Sequence, residues 1–316
     1  MDEKKVLDLD VIVTECQLSE DIGYEIIVEN IENLKNRYEE KELVSIYNHF
    51  LTVSKNQDVL MNLIKCVDKH RQKSSISAII DLLLDKSNSD GLRSMCAKAI
   101  ANSKNTNAVT PLLYCLNDKD ENYKVRLACA DALGKVGDKY AVAPLINIAQ
   151  DEDEKSVYVR ESAVVALGMI GDMRAIDPLV AILETKKGFI DKFTFLKEKA
   201  IEVLGKFNFS SDRLVKAFEH SLQDESAQIR INAIEALMES GDERAYKLIK
   251  EMLDDLNEEV KKNALIALYN MVGREILDEV IEEKKYDQFL KDEAQAMIEE
   301  YEDGEDENED EDGEEE

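Results

Sequence analysis

The sequence contains no tryptophan, only three prolines and only twelve glycines among its 316 residues, and aromatic residues make up 6% of it. β-Sandwiches and β-barrels need a turn signal about every 8–12 residues, and so few prolines and glycines cannot supply these turns. Hydrophobic residues still make up 44% of the chain, and Ala, Leu and Ile, which suit helices, are plentiful. The composition therefore predicts an all-α protein, built as two domains or as one elongated array.

Cysteine and histidine are also scarce. The five cysteines are odd in number and show no C-x-x-C spacing, so we expect a reducing, cytoplasmic location. Three of them, Cys66, Cys96 and Cys129, are expected to be small packing residues. The three histidines, His49, His70 and His220, form no H-E-x-x-H pattern, and there is no G-x-S-x-G or Walker sequence. We therefore predict no metal, no cofactor and no catalytic residue, and expect a non-enzymatic protein.

Basic residues are far outnumbered by acidic ones. There are 40 Lys and Arg against 69 Asp and Glu, a net charge of −29, and fourteen of the last eighteen residues are acidic. Such a field repels the phosphates of nucleic acids and anionic membrane surfaces, so we expect neither as a partner. The chain has no run of eighteen apolar residues, and its start, MDEKKVLDLDVIV, lacks the apolar core of a signal peptide. Protein partners, in particular basic ones, are the expected ligands.

A pattern of about 33 residues repeats along the chain. It is clearest in VRLACADALGKVGD, which begins at Val125, and in VRESAVVALGMIGD, which begins at Val159. Similar apolar anchors recur at spacings of 31 to 37 residues: Val59, Leu92, Val125, Val159, Leu196, Ile229 and Val260. Small or apolar residues follow each anchor by four, seven and eight positions. These positions form one stripe of an α-helix, with small residues where a neighbouring helix must come close.

Glycine and proline occupy fixed places in this pattern. An aspartate follows each of three equivalent glycines, Gly137, Gly171 and Gly241. Glycine there suits a left-handed end to a first helix, and the aspartate suits the cap of a second one. All three prolines share one position of the repeat, where a second helix would start: Pro111, Pro144 and Pro178. Proline is tolerated in a first helical turn, so the pattern predicts a unit of two helices.

This unit resembles the HEAT repeat, in the short form known from phycobilisome-lyase-type proteins. The resemblance is carried by V-R-x-x-A-x-x-A-L-G-x-x-G-D followed by A-[VI]-x-P-L, which is complete in the units at Val125 and Val159. It implies an α-solenoid, a superhelix of about seven helix pairs over residues 59–273, with the second helices lining a concave face. We expect a helical cap over residues 1–58, capping helices over 274–301 and a disordered acidic tail over 302–316.

The predicted function is that of a protein-interaction scaffold, adaptor or assembly factor that uses the concave face and the acidic tail. The second helices place these candidate partner-binding residues on that face: Tyr114, Asn147, Asp177, His220, Lys247 and Glu251. Their charges are mixed, which argues against nucleic-acid binding. The resemblance implies an alternative, a bilin lyase-type enzyme or lyase accessory subunit. HEAT-repeat hydroxylases of the deoxyhypusine type carry His-Glu pairs as iron ligands, and no histidine here precedes a glutamate.

One stretch, TKKGFIDKFTF, interrupts the repeat and lengthens it to 37 residues. It mixes basic and aromatic residues in an acidic chain that has few aromatics: Lys186, Lys187, Phe189, Lys192 and Phe193. Insertions in repeat proteins fall on loops at one edge, where binding residues collect. The stretch is either such a partner contact or an irregular joint whose phenylalanines fill the gap beside the degenerate unit at Leu196.

A basic residue follows most anchors: Arg93, Arg126, Arg160, Lys197, Arg230 and Lys261. As a functional feature, this column would be a ladder for phosphates or carboxylates. As a structural feature, each member would pair with an acid of the adjacent turn, for instance Asp138 or Asp172, and we expect this second arrangement. The acidic segments that begin at Asp118 and Asp151 are expected to be solvated loops, because the first lacks the glycine and the final glutamate of a calcium-binding EF-hand loop.

Overall fold

The computed structural model describes residues 8–16, 23–69, 73–185, 192–207 and 211–311; for residues 69, 73, 192–193 and 301–311 only the backbone is described. Every regular element within these ranges is a helix, which confirms the all-α prediction. The chain divides into two compact units, Met1–Asp172 and Met173–Glu316. None of the helices in the described ranges has the length and apolar content that crossing a bilayer requires.

The described residues of the first unit form ten α-helices: α1 Leu9–Glu15, α2 Tyr24–Arg37, α3 Glu40–Val53, α4 Gln57–Lys69, α5 Ile76–Leu84, α6 Asp90–Ser103, α7 Val109–Asn117, α8 Tyr123–Val136, α9 Val142–Gln150 and α10 Val157–Ile170. Those of the second form eight: α11 Ile176–Leu183, α12 Lys192–Gly205, α13 Asp212–Ser221, α14 Ala227–Ser240, α15 Ala245–Glu251, α16 Glu258–Val272, α17 Glu275–Glu282 and α18 Gln288–Glu311.

The seven predicted anchors lie in the seven first helices, α4, α6, α8, α10, α12, α14 and α16, and each anchor side chain is buried. First helices pack against first helices, as α6, α8 and α10 do in the first unit and α12, α14 and α16 do in the second. The second helices α5, α7 and α9 each pack against the first helix that follows them. Each unit is therefore a stack of helix pairs, the arrangement of an α-solenoid.

The small residues of the stripe allow this close stacking. A Cβ atom added to Gly134 of α8 would lie 2.9 Å from the Cα atom of Ala166 in α10. In the second unit, a Cβ atom on Gly205 of α12 would lie 3.1 Å from the Cα atom of Ala236 in α14. The helix axes can approach this closely only because neither glycine carries a side chain, as the sequence pattern predicts.

The turns inside the pairs also follow the prediction. Gly137, Gly171 and Gly241 end their helices with φ of 75°, 66° and 61°. Lys104 occupies the equivalent position after α6 and adopts φ of 51° without being glycine. The three prolines lie in the first turns of α7, α9 and α11, where no helical hydrogen bond is lost.

The C-terminal helix extends further than the sequence predicts. Disorder is expected from residue 302, but the backbone of α18 is helical as far as Glu311. Leu290, Ala294 and Ile298 are buried and hold the first half of α18 in place. Glutamate is a good helix former, so the helix propagates from this packed half without a new and costly nucleus. Residues 312–316 lie outside the described residues.

Candidate functional site

The arginines that recur in the repeat form buried contacts within the protein. The Nε atom of Arg93 in α6 donates a hydrogen bond of 2.7 Å to the carbonyl oxygen of Leu83, at the end of the preceding second helix. Its two terminal nitrogens donate to the two carboxylate oxygens of Glu121, at 2.8 and 2.6 Å. Glu121 lies in the turn before α8, so one guanidinium joins three successive helix pairs.

Arg126 repeats this arrangement in the next helix pair. Its Nε atom donates to the carbonyl oxygen of Leu116 at 2.9 Å, and its terminal nitrogens donate to Glu154 at 3.0 and 2.6 Å. The side chains of Arg126 and Glu154 are only 5% and 3% exposed. A solvent ligand such as a phosphate therefore has no access to this guanidinium.

The second unit continues the series with more exposed pairs. Lys197 pairs with Asp224 at 3.1 Å, Arg230 donates to both carboxylate oxygens of Asp255 at 2.8 and 2.9 Å, and Lys261 pairs with Asp287. The structural interpretation of the basic column is thus confirmed for five of its six members. The sixth, Arg160, donates from its Nε atom to the carbonyl oxygen of Ala149 at 3.0 Å.

The acids suggested as partners in the sequence analysis were wrong. Each arginine of the described pairs binds the acid of the turn between two helix pairs, rather than Asp138 or Asp172 of the turn within a helix pair. The reason is geometric: the arginine lies near the start of its helix, beside the turns that join successive helix pairs. Asp138 instead accepts a hydrogen bond from the backbone N–H of Tyr140 and caps the turn that leads into α9.

The pKa values of the buried glutamates follow from these contacts. Burial by itself would raise the pKa of the Glu154 carboxyl, but the hydrogen bonds from Arg126 and from the backbone N–H of Ser156 outweigh it and lower that pKa. The pKa of Glu121 is lowered in the same way, by Arg93 and the N–H of Asn122. Both glutamates are therefore carboxylates at neutral pH.

The acidic turns differ from the solvated loops that the sequence predicts, because Glu121 and Glu154 are buried within them. Asp118 and Asp151 keep contact with solvent and pair with Lys86 and Lys119 at 2.6 and 2.7 Å. The error arose because a buried and an exposed acid look alike in a run such as DKDEN. Among the described residues, no three His, Cys, Asp or Glu side chains are placed to hold a metal ion together.

Of the three cysteines expected to pack, Cys96 and Cys129 are buried, whereas Cys66 is half-buried. All five are free, and four of them are buried: Cys16, Cys96, Cys115 and Cys129. Burial raises the pKa of the Cys96 thiol to about 12, which keeps it protonated and unreactive at neutral pH. Of the histidines, His49 binds Asp10 at 3.1 Å and His220 is exposed on α13, while His70 lies outside the described residues.

The six candidate residues of the second helices are all exposed. Tyr114 in α7 is 63% exposed, and Asn147 occupies the equivalent position of α9 in the same unit. The second unit carries the other four, Asp177, His220, Lys247 and Glu251. Of these, Asp177 is paired with Arg213 at 3.2 Å.

The interrupting stretch is described only in part. Lys186, Lys187 and Phe189 lie outside the described residues, and Lys192 and Phe193 are described by their backbone in the first turn of α12. Phe195, the last aromatic residue of the stretch, is 60% exposed. The proposal of a partner contact at this place therefore remains a prediction.

One feature of the second helices was missed. The mixed charge expected for their exposed face holds in the second unit, where α13 exposes Asp212, Arg213 and Lys216. The helices α7 and α9 of the first unit contain no charged residue at all. The sequence shows this absence of charge in α7 and α9, but an average over the second helices of all repeats hides it.

A family model described as HEAT repeats matches residues 109–194 and 191–269. No curated protein sequence matches the chain significantly.

Several solved structures align with this chain at low sequence identity. Kap121p bound to Nup53p aligns with a TM-score of 0.59 and 15% identity, over 91% of this chain and 37% of that chain. The complex of CpcE and CpcF of phycocyanin lyase from Nostoc sp. PCC7120 aligns with a TM-score of 0.41 and 20% identity, over 82% and 94%. Human deoxyhypusine hydroxylase aligns with a TM-score of 0.37 and 17% identity, over 85% and 99%.

Proposed function

The chain belongs to the HEAT-repeat proteins, and on that premise we propose that it is a non-enzymatic scaffold that binds protein partners on the exposed side of its second helices. The observation that carries this proposal is a division of labour among the positions of the repeat. Positions that recur from unit to unit, such as the anchors and the Arg–Glu pairs, are buried and bound internally. The exposed position of the second helices changes instead, from Tyr114 to Asn147 to His220 to Glu251.

Variation along an exposed face supports recognition of a specific partner. A face with the same residue in every repeat would have few features to distinguish one partner from another. The net charge of −29 favours basic proteins over nucleic acids and anionic membranes. Residues 302–316, which include twelve acids and no base, attract such partners over a reach of about 8 Å at physiological salt. The five free cysteines suit a reducing, cytoplasmic setting.

Site-specific photo-crosslinking tests this proposal. A photoreactive phenylalanine analogue replaces Tyr114, Asn147, His220 or Glu251, one position at a time, in cells that make the protein. Matched controls carry it at Lys98 of α6 or Glu235 of α14, which are equally exposed but lie on first helices. We expect discrete protein adducts from the second-helix positions and none from the controls. Equal labelling from both sets, or none from either, would contradict the proposal.

A further inference from the structure

The exposed side of α7 and α9 is uncharged in a chain of which 34% is charged. We call it the neutral face, and it consists of Thr110, Tyr114, Asn117, Ala143, Asn147 and Gln150. All six side chains are exposed, and α7 contacts the 3₁₀ turn Lys139–Ala141 that leads into α9. A surface without charge selects a ligand by hydrogen bonding and shape rather than by ion pairing.

Carboxamides are the polar groups best suited to that task here. A carboxamide offers both a donor and an acceptor, which matches the N–H and C=O of a peptide group. The side-chain amides of Asn117 and Asn147 are exposed and form no hydrogen bond within the part of the chain that the structure describes. Both amides are thus available to a ligand.

The ligand that gains most from these amides is an extended polypeptide. The backbone groups of a helical ligand already bond to one another, so a carboxamide adds little to them. An extended segment still has unpaired N–H and C=O groups along its length. Tyr114 adds a flat apolar ring with a hydroxyl at its edge, which covers a ligand side chain and can also bond to its backbone.

The order of residues on the face also fits an extended segment. Tyr114 and Asn147 are equivalent positions in successive repeats, as are Asn117 and Gln150. Because α7 contacts the turn that leads into α9, these positions lie on neighbouring parts of one surface. An extended segment, which rises about 3.3 Å per residue, can cross both helices and meet equivalent side chains in turn.

The charge next to the neutral face indicates which side chains the segment carries. The C-termini of α7 and α9, where the helix dipole is negative, are followed by Asp118 and Asp151. These two are already paired with lysines. Asp120 and Asp153 are exposed and form no ion pair among the described residues. They favour a ligand with lysine or arginine close to the C-terminal ends of α7 and α9.

We propose that the neutral face binds an extended polypeptide segment through its backbone, with basic side chains directed towards Asp120 and Asp153. This inference rests on the proposed scaffold function and names the class of ligand that one part of the surface takes.

The test measures the binding of labelled ten-residue peptides to the full-length protein by fluorescence anisotropy. The probe is an alternating Lys-Thr peptide. Its first control is the same peptide N-methylated at each threonine, which keeps the charge but removes every second backbone donor. Its second control is the alternating Glu-Thr peptide. We expect the Lys-Thr peptide to bind at least ten-fold more tightly than either control. Methylation removes hydrogen bonds, each of which changes binding about five-fold, and the glutamates of the second control are repelled by Asp120 and Asp153.

Variants locate the site. Asn147→Ala and Tyr114→Ser are each expected to weaken binding of the Lys-Thr peptide about five-fold. Asp120→Asn combined with Asp153→Asn should weaken it at 50 mM salt and have less effect at 300 mM. Asn270→Ala on α16 and the pair Glu235→Gln with Glu243→Gln are the matched controls on other exposed surfaces, and they should leave affinity unchanged. Circular dichroism confirms that each variant is folded.

Four outcomes would overturn the inference. Equal binding of the methylated and unmethylated peptides would show attraction by net charge alone, for example by the acidic tail. Binding that is unaffected by Asn147→Ala and Tyr114→Ser would place the peptide elsewhere. A dimer of the protein that Tyr114→Ser dissociates would place a second copy on the face instead. If second-helix positions photo-crosslink to a partner while no peptide binds, the scaffold function stands and this inference fails.

Discussion

Arg126 donates two hydrogen bonds to the carboxylate of Glu154, which lies 28 residues further along the chain. Arg93 and Glu121 are related in the same way and at the same separation. Both pairs are buried, and each arginine also binds the end of the preceding second helix. The contacts between units of the first half of the chain are thus fixed by charge as well as by apolar packing.

Removing one member of a buried pair should be far more damaging than removing both. We expect Glu154→Leu or Arg126→Met to lower the free energy of unfolding by about 3–5 kcal/mol, because the remaining charge is left buried and uncompensated. The double variant Arg126→Met with Glu154→Leu should recover much of this loss. Urea unfolding of the four proteins measures the difference.

A surface pair provides the control for that cycle. Lys135 and Asp131 are 2.7 Å apart, with side chains 46% and 36% exposed. Asp131→Asn should change stability by less than about 1 kcal/mol, since exposed pairs contribute little. Strictly additive effects of the Arg126 and Glu154 substitutions would show that the two side chains do not interact.

The buried glutamates should also make stability depend on pH. The folded pKa values of Glu121 and Glu154 are lowered, whereas an unfolded glutamate titrates near 4.3. Their contribution is therefore complete above about pH 4.3 and is lost as the pH falls through the lower folded pKa. Urea midpoints of the wild type should fall faster between pH 5 and pH 3 than those of Glu154→Gln. Parallel curves would show that this carboxylate is not preferentially stabilised in the folded state.

Lys104 offers a stabilising substitution. It adopts φ of 51° at a position where equivalent units have glycine, and a left-handed conformation costs an ordinary L-residue about 1–2 kcal/mol. We expect Lys104→Gly to raise the melting temperature. Lys98→Gly, inside the same helix, should lower it through a loss of about 1 kcal/mol. If both substitutions lower the melting temperature alike, the left-handed geometry at Lys104 carries no cost.

The acidic segment should act mainly on the rate of association. We expect deletion of residues 302–316 to slow association with a basic partner captured by crosslinking at low salt. The effect should disappear at 1 M salt, where the Debye length is about 3 Å. The buried residues of α18 up to Ile298 remain in this deletion, so the fold is kept. An unchanged association rate at low salt would remove the segment from the binding process.

The bilin-lyase alternative has its own test. We expect no covalent coloured adduct when the chain is co-expressed with a bilin and a phycobiliprotein, because a scaffold supplies no chemistry for the attachment. Absorbance of the purified phycobiliprotein under denaturing conditions measures the adduct. A bilin attached in an amount that depends on this chain would establish the lyase function and overturn the non-enzymatic proposal.

Much of the architecture could be predicted because its signals are local. The stripe through Val125, Cys129 and Leu133 reflects the period of a single helix, and Gly137 reflects the φ that a single turn requires. The helical extension of α18 and the partners of Arg126 were not predicted, because each depends on which segments pack together. A run of acidic residues in the sequence does not show which of them will be buried against a distant arginine.

The sequence by itself determined the helical class, the repeat of about 33 residues and the burial of its small residues, since these follow from periodicity and from steric limits on each residue. Only the tertiary structure decided that Glu121 and Glu154 are internal ligands while Asp120 and Asp153 face solvent. It also decided that Asn117 and Asn147 stand exposed on helices without charge. Such choices depend on long-range packing, which sets the water and the partners that each polar group meets.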